Sequence, residues 1–143
     1  MSTAPTTNSG NCLCGAVTYK VTGPLRPVVC CHCEQCRKSS GHYVAASASK
    51  IDNLHIGGED NLAWYRSSSK AQRGFCNTCG SNLFWRPDHQ RYISIMAGTL
   101  DRPTGLTTAC HIYVDMASDY YAIADGLPQH GEDYPDTLMS ELE

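Results

Sequence analysis

Cysteine is the residue through which this sequence can do chemistry. Cys12-Leu13-Cys14-Gly15 and Cys76-Asn77-Thr78-Cys79-Gly80 form two short knuckles, each followed directly by glycine. Glycine in that place lets the backbone turn tightly enough for its N–H groups to face sulfur. Together the pairs supply four soft donors, the set for a closed tetrahedral zinc site with Zn–S near ~2.3 Å and no vacant position. Such a site would fasten the first strand to the middle of the chain, and metal affinity would become folding free energy. Its expected ligands are Cys12, Cys14, Cys76 and Cys79, and its expected role is structural.

A second cluster reads Cys30-Cys31-His32-Cys33-Glu34-Gln35-Cys36-Arg37-Lys38. Zinc held by Cys31, Cys33 and Cys36 would keep a fourth position for water or substrate, the usual arrangement of a catalytic site. A closed site is the alternative, with Cys30 or His32 as fourth ligand. Adjacent residues of an extended strand point to opposite faces, which weighs against both. Three thiolates leave zinc a weak Lewis acid that suits a soft sulfur partner. The chemistry expected is therefore to hold a thiol as nucleophilic thiolate, or to stabilise a thiolate leaving group. Arg37 and Lys38 could offset the cluster's charge or hold a substrate carboxylate. Their plainer reading is two solvated cations on a short helix.

Nine cysteines, an odd number in tight clusters, do not make a disulfide framework. Residues so close cannot pair comfortably with each other, yet their sulfurs converge easily on one ion. Residues 1–10 lack the basic start and apolar run of a signal peptide, and no stretch approaches the ~20 apolar residues of a membrane span. A cytoplasmic protein is expected, in a compartment where thiols stay reduced. Formal net charge is -3, and seven thiolates around two zinc ions would move it to about -6. No Lys/Arg patch accompanies that charge, so nucleic acid is not an expected partner, nor is a membrane.

These ligands need rigid elements to position them. The 143 residues suit one domain, with residues 1–9 read as a flexible leader, 10–130 as a single zinc-binding β domain and 131–143 as an acidic tail. Short runs rich in Val, Ile, Tyr and Thr, punctuated by Gly, Pro, Asn and Asp, predict an all-β, mainly antiparallel fold. Strands are expected at 16–21, 28–31, 43–47, 62–66, 73–75, 83–86, 92–96, 110–114 and 121–123. Only residues 34–40 invite a helix, directly after the second cluster.

Gly10-Asn11-Cys12-Leu13-Cys14-Gly15-Ala16-Val17, Cys31-His32-Cys33 with Cys36-Arg37-Lys38, Phe75-Cys76 with Cys79-Gly80-Ser81, His111-Ile112-Tyr113-Val114 and Asp125-Gly126-Leu127-Pro128 occur in this order. In these segments the sequence resembles the glutathione-dependent formaldehyde-activating enzyme family. The resemblance implies a zinc-stapled β fold of the Mss4-like type. It also implies a structural zinc on the C-x-C and C-x-x-C knuckles and a catalytic zinc on C-x-C-x-x-C. The implied activity is that of a carbon–sulfur lyase adding glutathione to formaldehyde, with a small thiol such as glutathione as partner. Many members of so broad a family would act on other thiol adducts.

Cys30 is read as a buried thiol or a redox-sensitive neighbour of the metal site, and Cys110 as a small buried hydrophobe or a cavity-lining residue. His111 is a candidate general base or a structural donor. Trp64, Tyr65, Phe84 and Trp85 are assigned to core or pocket wall. Against the lyase stands a non-enzymatic reading, a binding module with two closed structural zinc sites.

Overall fold

The structure, a computed structural model, describes residues 7–142. Its strands are β1 (Thr7–Asn11), β2 (Thr18–Thr22), β3 (Val28–Cys31), β4 (Val44–Lys50), β5 (Leu54–Gly57), β6 (Leu62–Arg66), β7 (Ala71–Cys76), β8 (Asn82–Pro87), β9 (Tyr92–Met96) and β10 (Thr108–Ile112). One α-helix, α1 (Glu34–Ser40), follows β3, and short 3-10 turns complete the described residues. No described helix is long and apolar enough to cross a membrane.

Two sheets form. A three-stranded sheet runs β1-β2-β5, and a seven-stranded sheet runs β10-β3-β4-β9-β8-β7-β6. Every pairing is antiparallel except β10 with β3. Side chains of a strand alternate between faces, and the large sheet uses both. One face sends Leu83, Phe84, Ile93 and Ile95 against Tyr19, Val21 and Leu25 to make the main core. Phe84 is fully buried and meets the edge of the Tyr19 ring at 5.3 Å between centroids. The opposite face carries the register row Arg73, Trp85 and Ser94 across β7, β8 and β9.

The expected strands at 28–31, 62–66 and 92–96 and the helix at 34–40 have the observed bounds. Two strands, β1 and β5, have no counterpart among the expectations. In β1 the buried positions are Asn8 and Gly10, so its alternation is not written in apolar residues. Asn8 is accommodated there by donating to the Thr104 carbonyl at 3.1 Å. Thr7, Asn8 and Ser9 of the expected leader thus belong to a strand, and residues 1–6 lie outside the described residues. The strand expected at 121–123 does not form. The neighbouring sheet edge, β10, is bridged by Gln129 instead, and Tyr121 turns its hydroxyl to His32. Residues of the expected tail also pack, since Tyr134 and Leu138 lie on Val29, Cys110 and Ile112.

A chain of polar side chains ties the end of β3 to β10 and the loop beyond. Asp125 Oδ2 lies 2.7 Å from His111 Nε2, His111 Nδ1 lies 2.9 Å from His32 Nε2, and His32 Nδ1 meets the Tyr121 hydroxyl. The carboxylate can only accept, which fixes the direction: His111 donates to Asp125, His32 to His111 and Tyr121 to His32. His32 therefore faces into the protein while its neighbours Cys31 and Cys33 face the other way.

Two predictions come from this architecture. Phe84→Ala should cost about 3–5 kcal/mol, measured by urea unfolding, and a loss near zero would mean that the facing sheets are joined elsewhere. The hydrogen bond from His111 holds the Asp125 carboxyl below its usual range, so its contribution is present above the unfolded value of ~3.9 and lost as pH falls through the lower folded one. Asp125→Asn should lower the melting temperature at pH 7, and the gap from the unaltered protein should close in acid. A gap that is constant with pH would rule out this link.

Candidate functional site

The knuckle cysteines come together from two hairpin turns. Cys12 and Cys14 lie between β1 and β2, and Cys76 and Cys79 lie at the turn from β7 to β8. All four sulfurs lie within 4.8 Å of one another. Cys12 to Cys14 is 3.6 Å and Cys14 to Cys76 is 3.8 Å. A zinc tetrahedron with ~2.3 Å bonds has sulfur–sulfur edges of about 3.8 Å, so the donor set fits a metal ion. Gly15 and Gly80 take φ of 82° and 79°, the left-handed conformation the tight turns require. N–H groups then reach sulfur, from Val17 to Cys12 at 3.3 Å and from Thr78 to Cys76 at 3.4 Å. Ser81 links the turns: its oxygen accepts from the Leu13 N–H at 2.9 Å and lies 3.2 Å from Cys79 Sγ. That hydroxyl is the chief reason the Cys79 thiol falls to about 5.

The second group contains Cys31, Cys33 and Cys36, also with sulfurs within 4.8 Å of one another. Cys33 caps α1, its sulfur accepting from the Cys36 N–H at 3.4 Å, and α1 closes with the Gly41 N–H on the Arg37 carbonyl. Hydrogen bonds from Cys31 and Cys36, joined by that N–H and the Arg73 charge, pull the Cys33 thiol down to about 2. Its hydrogen bonds with Cys33 and Cys36, with burial, push the Cys31 thiol upward. Three clustered thiolates need a cation to coexist, and this donor set fits a metal ion. Neither candidate for a fourth ligand joins them. Cys30 is buried, its thiol raised to about 11 by desolvation, and His32 is engaged by His111 and Tyr121.

The trio opens on a cleft of about 900 Å³ whose floor is the Arg73, Trp85 and Ser94 row. Tyr113, Asp133 and Tyr134 line another side, and Lys70 also borders it. Arg26 secures that side by donating to the Tyr134 hydroxyl at 2.9 Å and to the Ala46 carbonyl at 2.7 Å. The four-sulfur group is absent from the lining.

Of the predicted cations, neither lines the cleft. Arg37 donates from Nε to the Met116 carbonyl at 3.1 Å, and Lys38 pairs with Glu34 at 3.3 Å. The cleft's guanidinium belongs to Arg73, 7% exposed, with Nη2 3.6 Å from Cys36 Sγ. Its place three residues before Cys76, on an inward position of a predicted strand, was the available signal. Cys110 is buried outside the cleft, and His111 belongs to the polar chain rather than the cavity. Phe84 is core, Trp85 is floor and Tyr65 is exposed.

Comparisons with known proteins agree with these features. The chain is 38% identical over 77 residues to a protein of Schizosaccharomyces pombe named an uncharacterized lyase, a match covering 53% of this chain and 55% of that relative. It thus spans about half the length of that relative. A crystal structure of a Rhodobacter sphaeroides protein superposes with a TM-score of 0.54 at 26% identity, covering 66% of this chain and 88% of that one. The family model described as glutathione-dependent formaldehyde-activating enzyme matches residues 7–116. With that match spanning both cysteine groups and most of the sheet, the chain belongs to the glutathione-dependent formaldehyde-activating enzyme family.

Proposed function

We propose that the protein is a zinc-dependent carbon–sulfur lyase that makes or breaks the bond between a small thiol, such as glutathione, and an aldehyde carbon. The observation that carries this reading is the difference between the two sulfur groups: four sulfurs away from the cleft, three bordering it. Cys12, Cys14, Cys76 and Cys79 would hold a structural zinc, and Cys31, Cys33 and Cys36 a catalytic one. A zinc ion held by three thiolates supplies a soft acceptor that favours the ionised form of a thiol near neutral pH. The surrounding residues bind and orient. Trp85 and Tyr113 offer aromatic surface to the adduct's carbon chain and exclude water from it. Lys70 and Asp133 border the cleft with opposite charges, a match for a zwitterionic peptide thiol.

The family membership and the lyase name of the fission-yeast relative support this direction. A large cleft also favours it over a module with two closed sites, since ligand sites are concave and apolar with few polar groups.

Cys33→Ala should stay folded by circular dichroism while losing one of two metal equivalents and all thiol binding. Cys79→Ala should yield unfolded or aggregated chain, because metal affinity at the four-sulfur group is folding free energy. Equal unfolding of both variants would refute the division of roles. Separately, millimolar glutathione should change the sulfur-to-metal absorption of the cobalt-substituted protein, and an unaltered spectrum would exclude a direct sulfur contact.

A further inference from the structure

Arg73 carries more hydrogen-bond donors than its contacts in the fold use. A guanidinium carries five donors and keeps its charge at any physiological pH. Among the described residues its hydrogen-bond partner is the Cys36 sulfur, at 3.6 Å, and its Nε is buried with no partner. An unsatisfied donor in a buried charged group is destabilising. The side chain is nevertheless held in the cleft, between Tyr65 and Trp85 in the sheet register. The other buried arginine is better provided for: Arg26, similarly enclosed, bonds through Nε, Nη1 and Nη2. Arg73 is the cleft cation with donors to spare beside the trio.

We propose that Arg73 is a catalytic residue that donates hydrogen bonds to the reacting oxygen, the one on the carbon that forms or loses its bond to sulfur. This rests on the lyase reading above, whose S-(1-hydroxyalkyl) thiol adducts carry sulfur and oxygen on one carbon. A sulfur seated at the trio brings that oxygen within two bonds of itself, into the neighbourhood of a guanidinium already 3.6 Å from Cys36 Sγ.

In the cleaving direction the C–S bond breaks and its electron pair leaves with sulfur as thiolate. The hydroxyl oxygen forms the second bond of the carbonyl, and its proton passes to water. In the forming direction the thiolate attacks the carbonyl carbon, the π pair moves onto oxygen, and that oxygen takes a proton from water. Arg73 gives up no proton. Its donors oppose the negative charge on oxygen, which is greatest between the two end states, as in an oxyanion hole.

The test uses Arg73→Met and Arg73→Lys in the metal-loaded protein, with metal content, glutathione affinity by calorimetry, and kcat and KM for hemithioacetal turnover. Arg73→Met should retain both metal equivalents and bind glutathione within about threefold of the unaltered protein, while kcat falls about 10²–10³-fold. Arg73→Lys, which keeps charge but not the fork, should recover part of kcat. A kcat within about threefold of normal in Arg73→Met would overturn the assignment, as would a loss confined to thiol affinity. Should Arg73→Met shed metal or unfold, Arg73→Lys decides, and an unaltered kcat there is equally fatal. An unaltered protein that binds glutathione but turns over no hemithioacetal takes down the lyase reading itself, and is seen before any variant is made.

Discussion

Four sulfurs drawn from two hairpin turns meet where the two sheets come together. The Cys12-Cys14 turn belongs to the small sheet and the Cys76-Cys79 turn to the large one, so their convergence closes the two sheets over the Tyr19 and Phe84 core. A domain of this size has a limited apolar core, and a metal ion bound at this group would compensate for it. The link also reaches the cleft. Cys76 ends β7, the strand that carries Arg73, so anchoring one end of β7 at the four-sulfur group fixes where the guanidinium meets the three-sulfur group. The two clusters are therefore joined through one strand.

Around the trio the governing constraint is concentrated negative charge. The only α-helix among the described residues starts at Cys33, placing its first-turn N–H of Cys36 on sulfur, and Arg73 adds a full cation from the sheet. On the reverse side, the directed chain from Tyr121 through His32 and His111 to Asp125 consumes the polar valence of His32. A residue wedged between two sulfur donors is thereby kept out of their company by satisfied hydrogen bonds rather than by distance along the chain.

The parts of this design legible in the sequence are those with local signals. The helix expected directly after the second cluster forms as α1, which the structure closes with Cys33 and Gly41, and glycine after each knuckle announces the tight turns. Strands β3, β6 and β9 contain Val-Val, Leu-Ala-Trp-Tyr or Ile-Ser-Ile runs that favour extension. What escaped has a non-local cause. Asn8 is buried because Thr104, distant in sequence, accepts its hydrogen bond, and a polar-looking strand results. Arg37 adjoins the last cysteine in sequence but turns to Met116, while Arg73 reaches the sulfurs only through the register of β7. Adjacency along the chain was a poor guide to adjacency in the cleft.

The cleft side formed by Asp133 and Tyr134 stands outside residues 7–116, the span of the family pattern. Arg26, from inside that span, grips Tyr134 by its hydroxyl and stacks against its ring at 4.8 Å. The part of the cleft inside that span is thus bolted to a cheek outside it. A change of side chain in that cheek would alter the width and charge of the opening while leaving every sulfur where it is.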